Sequence, residues 1–296
     1  MQTGRIEVTA PDGRRLIAYL AGPEDGELVL FHTGTPDEGP LFAPWVEAGA
    51  ERGLRHLGYA RPGYGDSDRL PGRTVADCAG DVGAVLDAVG AGSFLTVGWS
   101  GGGPHALACA ALLPGRVRAA ATIAAVAPRD AAGLDWLEGM GDENLEEFGA
   151  AEAGEEQLRD YLEGEAEGLA SVSAGEVRAA LGDLISASDA DALHGEMPDY
   201  LAAGLRAALR TGVSGWLDDD IAFIEGWGID LSRIEAPVAI WQGEDDRFVP
   251  FAHGRWLAEN VAGAKASLRP GEGHLSLPAG SYGEILDQLL ALGRAA

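Results

Sequence analysis

The stretch Phe94-Leu95-Thr96-Val97-Gly98-Trp99-Ser100-Gly101-Gly102, followed by Pro104-His105-Ala106-Leu107-Ala108-Cys109-Ala110, decides the fold. Its first four residues read as a buried strand, and the alanine-rich run after Pro104 reads as a helix. Between them stands G-x-S-x-G. A serine on so sharp a strand-to-helix turn is forced out of the sheet, with its hydroxyl exposed above the strand ends. The flanking glycines remove side chains that would clash in the turn. With 44 glycines in the chain, the pentapeptide alone carries little weight. The strand before it and the helix after it give it meaning.

Outward from this turn, short apolar runs alternate with helical patterns. Arg5–Thr9 and Arg14–Leu20, joined by Pro11-Asp12-Gly13, predict a hairpin. Further strands are expected at Glu27–His32, Leu54–Ala60, Val117–Val126, Pro237–Gln242 and Ala266–Arg269, and helices at Thr74–Val89, Ala252–Val261 and Tyr282–Leu292. Strands alternating with helices imply an α/β fold: a mostly parallel, doubly wound sheet covered on both faces. Residues 129–235 break the pattern. They are acidic and rich in Ala and Gly, with helical periodicity near Leu145–Gly149, Glu155–Leu169, Gly175–Ile185, Asp199–Arg210 and Trp216–Glu225. The expected organisation is a core of 1–128 and 236–296, with 129–235 inserted as a helical cap over the strand ends.

The charge follows the same division. The 296 residues carry a net −26, and 129–235 holds 26 Asp and Glu against 6 Arg, a net of −20 that leaves only −6 elsewhere. That balance disfavours nucleic acid and anionic membrane surfaces as partners. The acidic runs Asp142–Glu147 and Asp218–Asp220 read as solvated helix faces. No secretory signal and no apolar run long enough to span a bilayer is visible, so a cytoplasmic protein is expected, as monomer or homodimer. Cys78 and Cys109 read as small buried thiols. No histidine pair has metal-ligand spacing, Gly98–Gly103 is not G-x-G-x-x-G, and no phosphate-loop lysine exists, so no cofactor or metal is expected.

Ser100 needs a base, and the base an orienting acid. Two loops leave predicted strands at the edge where such sites are built: Gly243-Glu244-Asp245-Asp246, running on to Val249-Pro250, and Gly271-Glu272-Gly273-His274. Either Asp245 or Asp246 supplies a carboxylate there. The order Ser100…Asp246…His274, together with His32-Thr33-Gly34-Thr35-Pro36 and Arg61-Pro62-Gly63-Tyr64-Gly65-Asp66-Ser67, resembles a capped, esterase-like serine hydrolase of the α/β-hydrolase-fold superfamily. The resemblance runs from about Ile6 to the terminal helix, excluding the insertion.

The resemblance implies Ser100 as nucleophile, His274 as general base and then acid, and Asp246 as orienting carboxylate, since the family spacing Gly-x-x-Asp-x-x-Val-Pro fits only Asp246. It implies an oxyanion hole from the Gly101 N–H and one N–H of the His32–Pro36 loop, Thr35 first and Gly34 next. The family's commoner form is His-Gly-x-Pro, and Thr33 is inserted here. His32 is expected to brace that loop, and Arg61–Ser67 to be a structural loop beside it. The expected activity is hydrolysis of a small carboxylic ester or lactone through an acyl-enzyme. Serine at position 100, where haloalkane dehalogenases and epoxide hydrolases place Asp, argues against both. The acidic cap keeps an aminopeptidase or amidase open, since some capped relatives grip a substrate ammonium with cap carboxylates. C–C hydrolase, cofactor-free peroxidase and a non-catalytic ligand-binding protein are further readings. Trp99, Trp136, Phe148, Trp216, Phe223 and Trp227 are candidates for lining the small-molecule pocket; each reads equally well as packing between cap and core.

Overall fold

The computed structural model describes residues 4–295. Eight strands form one sheet: β1 (Gly4–Thr9), β2 (Arg15–Ala21), β3 (Glu27–His32), β4 (Leu54–Ala60), β5 (Phe94–Trp99), β6 (Val117–Ile123), β7 (Val238–Gly243) and β8 (Lys265–Arg269). Their order is β1-β2-β4-β3-β5-β6-β7-β8. β2 runs antiparallel to both β1 and β4, and the other pairs are parallel. The central strand β5 is buried at all six positions, as a strand with neighbours on both edges and helices on both faces must be.

In chain order the core helices before the insertion are α1 (Ala43–Ala50), α2 (Cys78–Ala88) and α3 (Gly102–Leu112). Between β6 and β7 come α4 (Asp142–Ala153), α5 (Glu155–Leu169), α6 (Val177–Ala180), α7 (Ala187–Ala192), α8 (Met197–Ala208) and α9 (Ser214–Ile224). After β7 follow α10 (Phe251–Asn260) and α11 (Ser276–Ala295). Successive strand residues point to opposite faces, which sorts the interior into two cores. Phe94, Ala120, Val238 and Ile240 pack with α2, α3 and α10. Leu95, Ala121, Ala239 and Trp241 pack with α1 and α11. A fully buried side chain such as Leu95 contributes about 1.5–3 kcal/mol through lost contact with water.

The differences from expectation are local. α1 escapes notice because it has only eight residues with a proline in its first turn. β6 stops at Ile123 because Ala124 turns the chain with φ of 51°. The helix expected from Thr74 opens as a tight turn, Val75–Asp77, held by the Thr74 N–H donating to Asp77 Oδ2 at 2.7 Å. No helix among the described residues is long and apolar enough to cross a membrane. Both cysteines are free and buried.

Candidate active site

Ser100 stands between β5 and α3 with φ of 56°, the left-handed region that side chains rarely adopt. The turn is tight enough that a Cβ at Gly98 would collide with the Gly102 carbonyl, and one at Gly102 with the His32 carbonyl. The strained serine is held by its N–H donating to the Ile123 carbonyl (2.9 Å), and its own carbonyl accepts from Gly103 N–H (2.9 Å). The glycines of the motif are therefore demanded by the turn, and the turn presents the serine side chain beyond the strand ends.

Asp246 follows β7 and His274 follows β8, and the structure brings them together. Asp246 Oδ2 lies 2.9 Å from His274 Nδ1. Asp246 Oδ1 accepts from the backbone N–H of Phe248 (3.0 Å) and Val249 (2.8 Å), and Oδ2 from the Gln242 amide (3.1 Å). Burial pushes the Asp246 carboxyl up, while His274 and the Val249 N–H oppose it. Asp245 is exposed and plays no part in the pair. The imidazole of His274 stacks on Phe248 at 4.4 Å between centroids, and Trp99 donates its indole N–H to the His274 carbonyl at 3.2 Å. Nδ1 is thus occupied and the ring plane fixed, leaving Nε2 as the nitrogen that the carboxylate does not engage. No hydrogen bond joins Ser100 Oγ to His274 among the described residues; the two side chains line one cavity.

Thr35 and Gly34 lie against the turn, Gly34 lining the cavity shared by Ser100 and His274, and Thr35 that cavity and the next. Neither the Thr35 nor the Gly101 backbone N–H has a partner among the hydrogen bonds of the described residues. The brace of this loop differs from expectation. His32 instead places Nε2 3.7 Å from Cys109 Sγ. Arg61, the first residue past β4, does the bracing: it donates to the carbonyls of Thr33 (2.8 Å) and Gly34 (2.7 Å) and to Thr35 Oγ1 (3.1 Å). His32 and His105 are buried, and burial holds both below the usual imidazole range.

The expectation of a solvated face at Asp218–Asp220 is wrong. All three are buried, at 4%, 0% and 1% exposure. Successive helix positions differ by about 100°, so each meets different groups. Asp218 forms two contacts with Arg69, both 2.8 Å. Asp219 meets Arg61 (2.6 Å) and Arg73 (2.7 Å), and accepts from Tyr64 OH and Thr35 Oγ1, both at 2.8 Å. Burial alone would raise the Asp219 carboxyl, but Arg61 and Arg73 prevail and hold it well below the carboxylate range. A second buried carboxylate, Asp189 of α7, accepts from the N–H groups of Leu275 (2.7 Å) and Ser276 (3.0 Å), pinning the loop that carries His274. The signal for Asp219 was three arginines, 61, 69 and 73, close behind one strand. The signal for Asp189 was the Ser186-x-x-Asp189 cap.

Two cavities meet at Ser100. One, of about 100 Å³, is lined by His274, Trp99 and Asp37, whose carboxyl burial raises to about 6. The other, of about 110 Å³, is walled by Phe148, Trp216 and Phe223. Four of the six expected aromatic residues thus line cavities, and two do not. Trp136 is structural, donating to the Ala127 carbonyl (2.7 Å) and packing on Phe148 and His253. Trp227 lies under the chain near Ala76, whose N–H bonds the Trp227 carbonyl at 2.9 Å. The acidic run Asp142–Glu147 is solvated only in part, since Glu143 and Glu147 line the larger cavity.

The comparisons agree with this architecture. Residues 27–278 match the family model described as alpha/beta hydrolase fold. The chain is 28% identical to a non-heme chloroperoxidase of Streptomyces lividans over 90% of this chain and 91% of that one. It is 30% identical to a pimeloyl-[acyl-carrier protein] methyl ester esterase of Chromobacterium violaceum, over 80% and 83% of the two chains. The structure of a bromoperoxidase from Bacillus anthracis superposes with a TM-score of 0.72, at 22% identity over 97% of this chain and all of that one (100%). With the match running from β3 into α11, the chain belongs to the α/β hydrolase fold family.

Proposed function

We propose that the chain is a serine hydrolase that cleaves a small carboxylic ester or lactone through an acyl-enzyme. The observation that carries this is the pairing of His274 Nδ1 with Asp246 at 2.9 Å at the edge where a strained Ser100 shares a cavity with the same imidazole. The esterase among the relatives supports the bond type.

In this reading His274 Nε2 takes the Ser100 hydroxyl proton as Oγ attacks the ester carbon. The Thr35 and Gly101 N–H groups receive the developing alkoxide; one such donor is worth about 3–4 kcal/mol in the transition state. The protonated imidazole, stabilised by Asp246, then gives its proton to the departing alkoxide. Water, deprotonated by the same imidazole, attacks the acyl carbon and releases the acid and free Ser100. Residues 129–235 serve as the cap: Asp219 ties it to the loop bearing Thr35, and Asp189 to the loop bearing His274.

The test is hydrolysis of p-nitrophenyl butanoate by the purified protein and by Ser100→Ala. A pre-steady-state burst of nitrophenol is expected from the wild type, with a fall in kcat/KM of about 10⁴-fold or more in the variant. Equal rates for the two proteins would refute the reading.

A further inference from the structure

The cavity that Ser100 shares with His274 is walled mostly by four leucines, Pro36, Trp99 and Phe248. The Trp99 N–H is spent on the His274 carbonyl. Ser100, His274 and Thr35 take part in the proposed cleavage. Asp37, just past Thr35, is the one ionisable side chain of this wall without a part in it. Its Oδ1 accepts from the Gly39 N–H at 2.6 Å, which holds the carboxylate against its own loop, and the Thr33 hydroxyl is a second donor. A carboxylate offers about four acceptor positions, so these two donors fill only part of them. Arg61 favours the ionised form of Asp37 but directs its N–H groups at Thr33, Gly34, Thr35 and Asp219. Oδ2 faces α8, where a Cβ on Gly204 would lie 2.8 Å from it. Glycine weakens a helix interior; at this position it leaves room for the carboxylate between the loop and α8.

A few placed polar groups in an apolar pocket orient the ligand and set specificity. His274 says which half of the substrate meets Asp37. The leaving alcohol takes its proton from that imidazole, which lines this cavity and not the other one. Resting on the acyl-enzyme reading, we propose that Asp37 selects the leaving group: an alcohol with a further hydroxyl that donates to the Asp37 carboxylate, as in a monoester of a diol or triol. Charge decides among the alternatives. A leaving group bearing a carboxylate is repelled by Asp37. One bearing an ammonium would stand beside the imidazolium that forms as the alcohol departs, and within the field of Arg61. A hydroxyl donates without adding charge. A plain alkyl group strips water from the carboxylate and puts no donor in its place.

The test compares 2-hydroxyethyl butanoate with propyl butanoate, which differ by hydroxyl for methyl, by titrating the acid released. At about pH 8 the expected kcat/KM ratio favours the hydroxyethyl ester about tenfold or more. In Asp37→Leu the ratio falls to one or below; a carboxylate that only held the loop would slow both esters alike. Asp37→Asn keeps an acceptor of the same shape, so part of the preference remains, which covers the case in which the leucine variant does not fold. Burial raises the Asp37 carboxyl to about 6, so the wild-type ratio should climb between about pH 5 and 8 as the stronger, ionised acceptor forms, and stay flat in Asp37→Asn. Thr33, Glu38, Arg61 and Tyr200 surround Asp37, with His274 in the same cavity. Arg61 stays charged and Tyr200 neutral over that range, and the protonation of Glu38 or His274 acts on both esters and cancels in the ratio. A wild-type ratio at or below one, one unchanged in both variants, or one flat with pH overturns the proposal while leaving ester hydrolysis standing. If neither ester is cleaved, the acyl-enzyme reading fails and calorimetry of the two esters judges Asp37 alone. Tighter binding of the hydroxyethyl ester that is lost in Asp37→Leu supports the selector; equal or absent binding overturns it.

Discussion

Asp219 and Asp220 are neighbours on α9, equally buried at 0% and 1% exposure, and they are in opposite condition. The side of α9 bearing Asp219 is bound to the sheet through Arg61, Arg73, Tyr64 and Thr35. The side bearing Asp220 faces a cavity and another carboxylate. Burial raises the cost of charge equally for both; what differs is the partner. A buried carboxylate in this helix is thus either tied by cations or left with none, and the groups around it tell which.

The largest effect should come from cutting the tie. Asp219→Leu strands two buried guanidinium groups, and a loss of about 3–5 kcal/mol in urea unfolding is expected. Ester hydrolysis should fall with it, because Thr35 loses its anchor. Asp220→Asn should change stability in the other direction, by about 1–3 kcal/mol at pH 7, because it removes a buried carboxyl that folding must either protonate or leave charged without a cation. The raised folded-state carboxyl of Asp220 fixes the pH window. Its ionisation opposes folding only above the unfolded value of about 4, so the gain in Asp220→Asn should vanish below about pH 4. The smallest effect belongs to Asp218→Asn, whose partner Arg69 is 31% exposed; about 1 kcal/mol of destabilisation is expected. If all three substitutions shift the urea midpoint the same way, the distinction between tied and untied carboxylates fails.

This contrast also explains what the sequence could and could not reveal. The turn at Ser100 is legible because its causes are local: a six-residue strand, four glycines and a helix within twenty positions. Asp246 and His274 are legible because each follows directly on a strand. Asp218–Asp220 read as a solvated run because the partners of Asp218 and Asp219, namely Arg69, Arg61 and Arg73, precede them by about 150 residues, and no helical period records a contact at that distance. Trp136 and Trp216 carry the same local signal and part company only in three dimensions, one over His253 and the other in the cavity. α7 escaped because six residues hold too little periodicity to stand out.

The central claim is that Ser100 is an activated nucleophile, and fluorophosphonate labelling with peptide mass mapping tests it most directly. The account predicts a single adduct on Ser100 that is absent in Ser100→Ala. A folded wild-type protein that takes no label, or takes it on another residue, would contradict it.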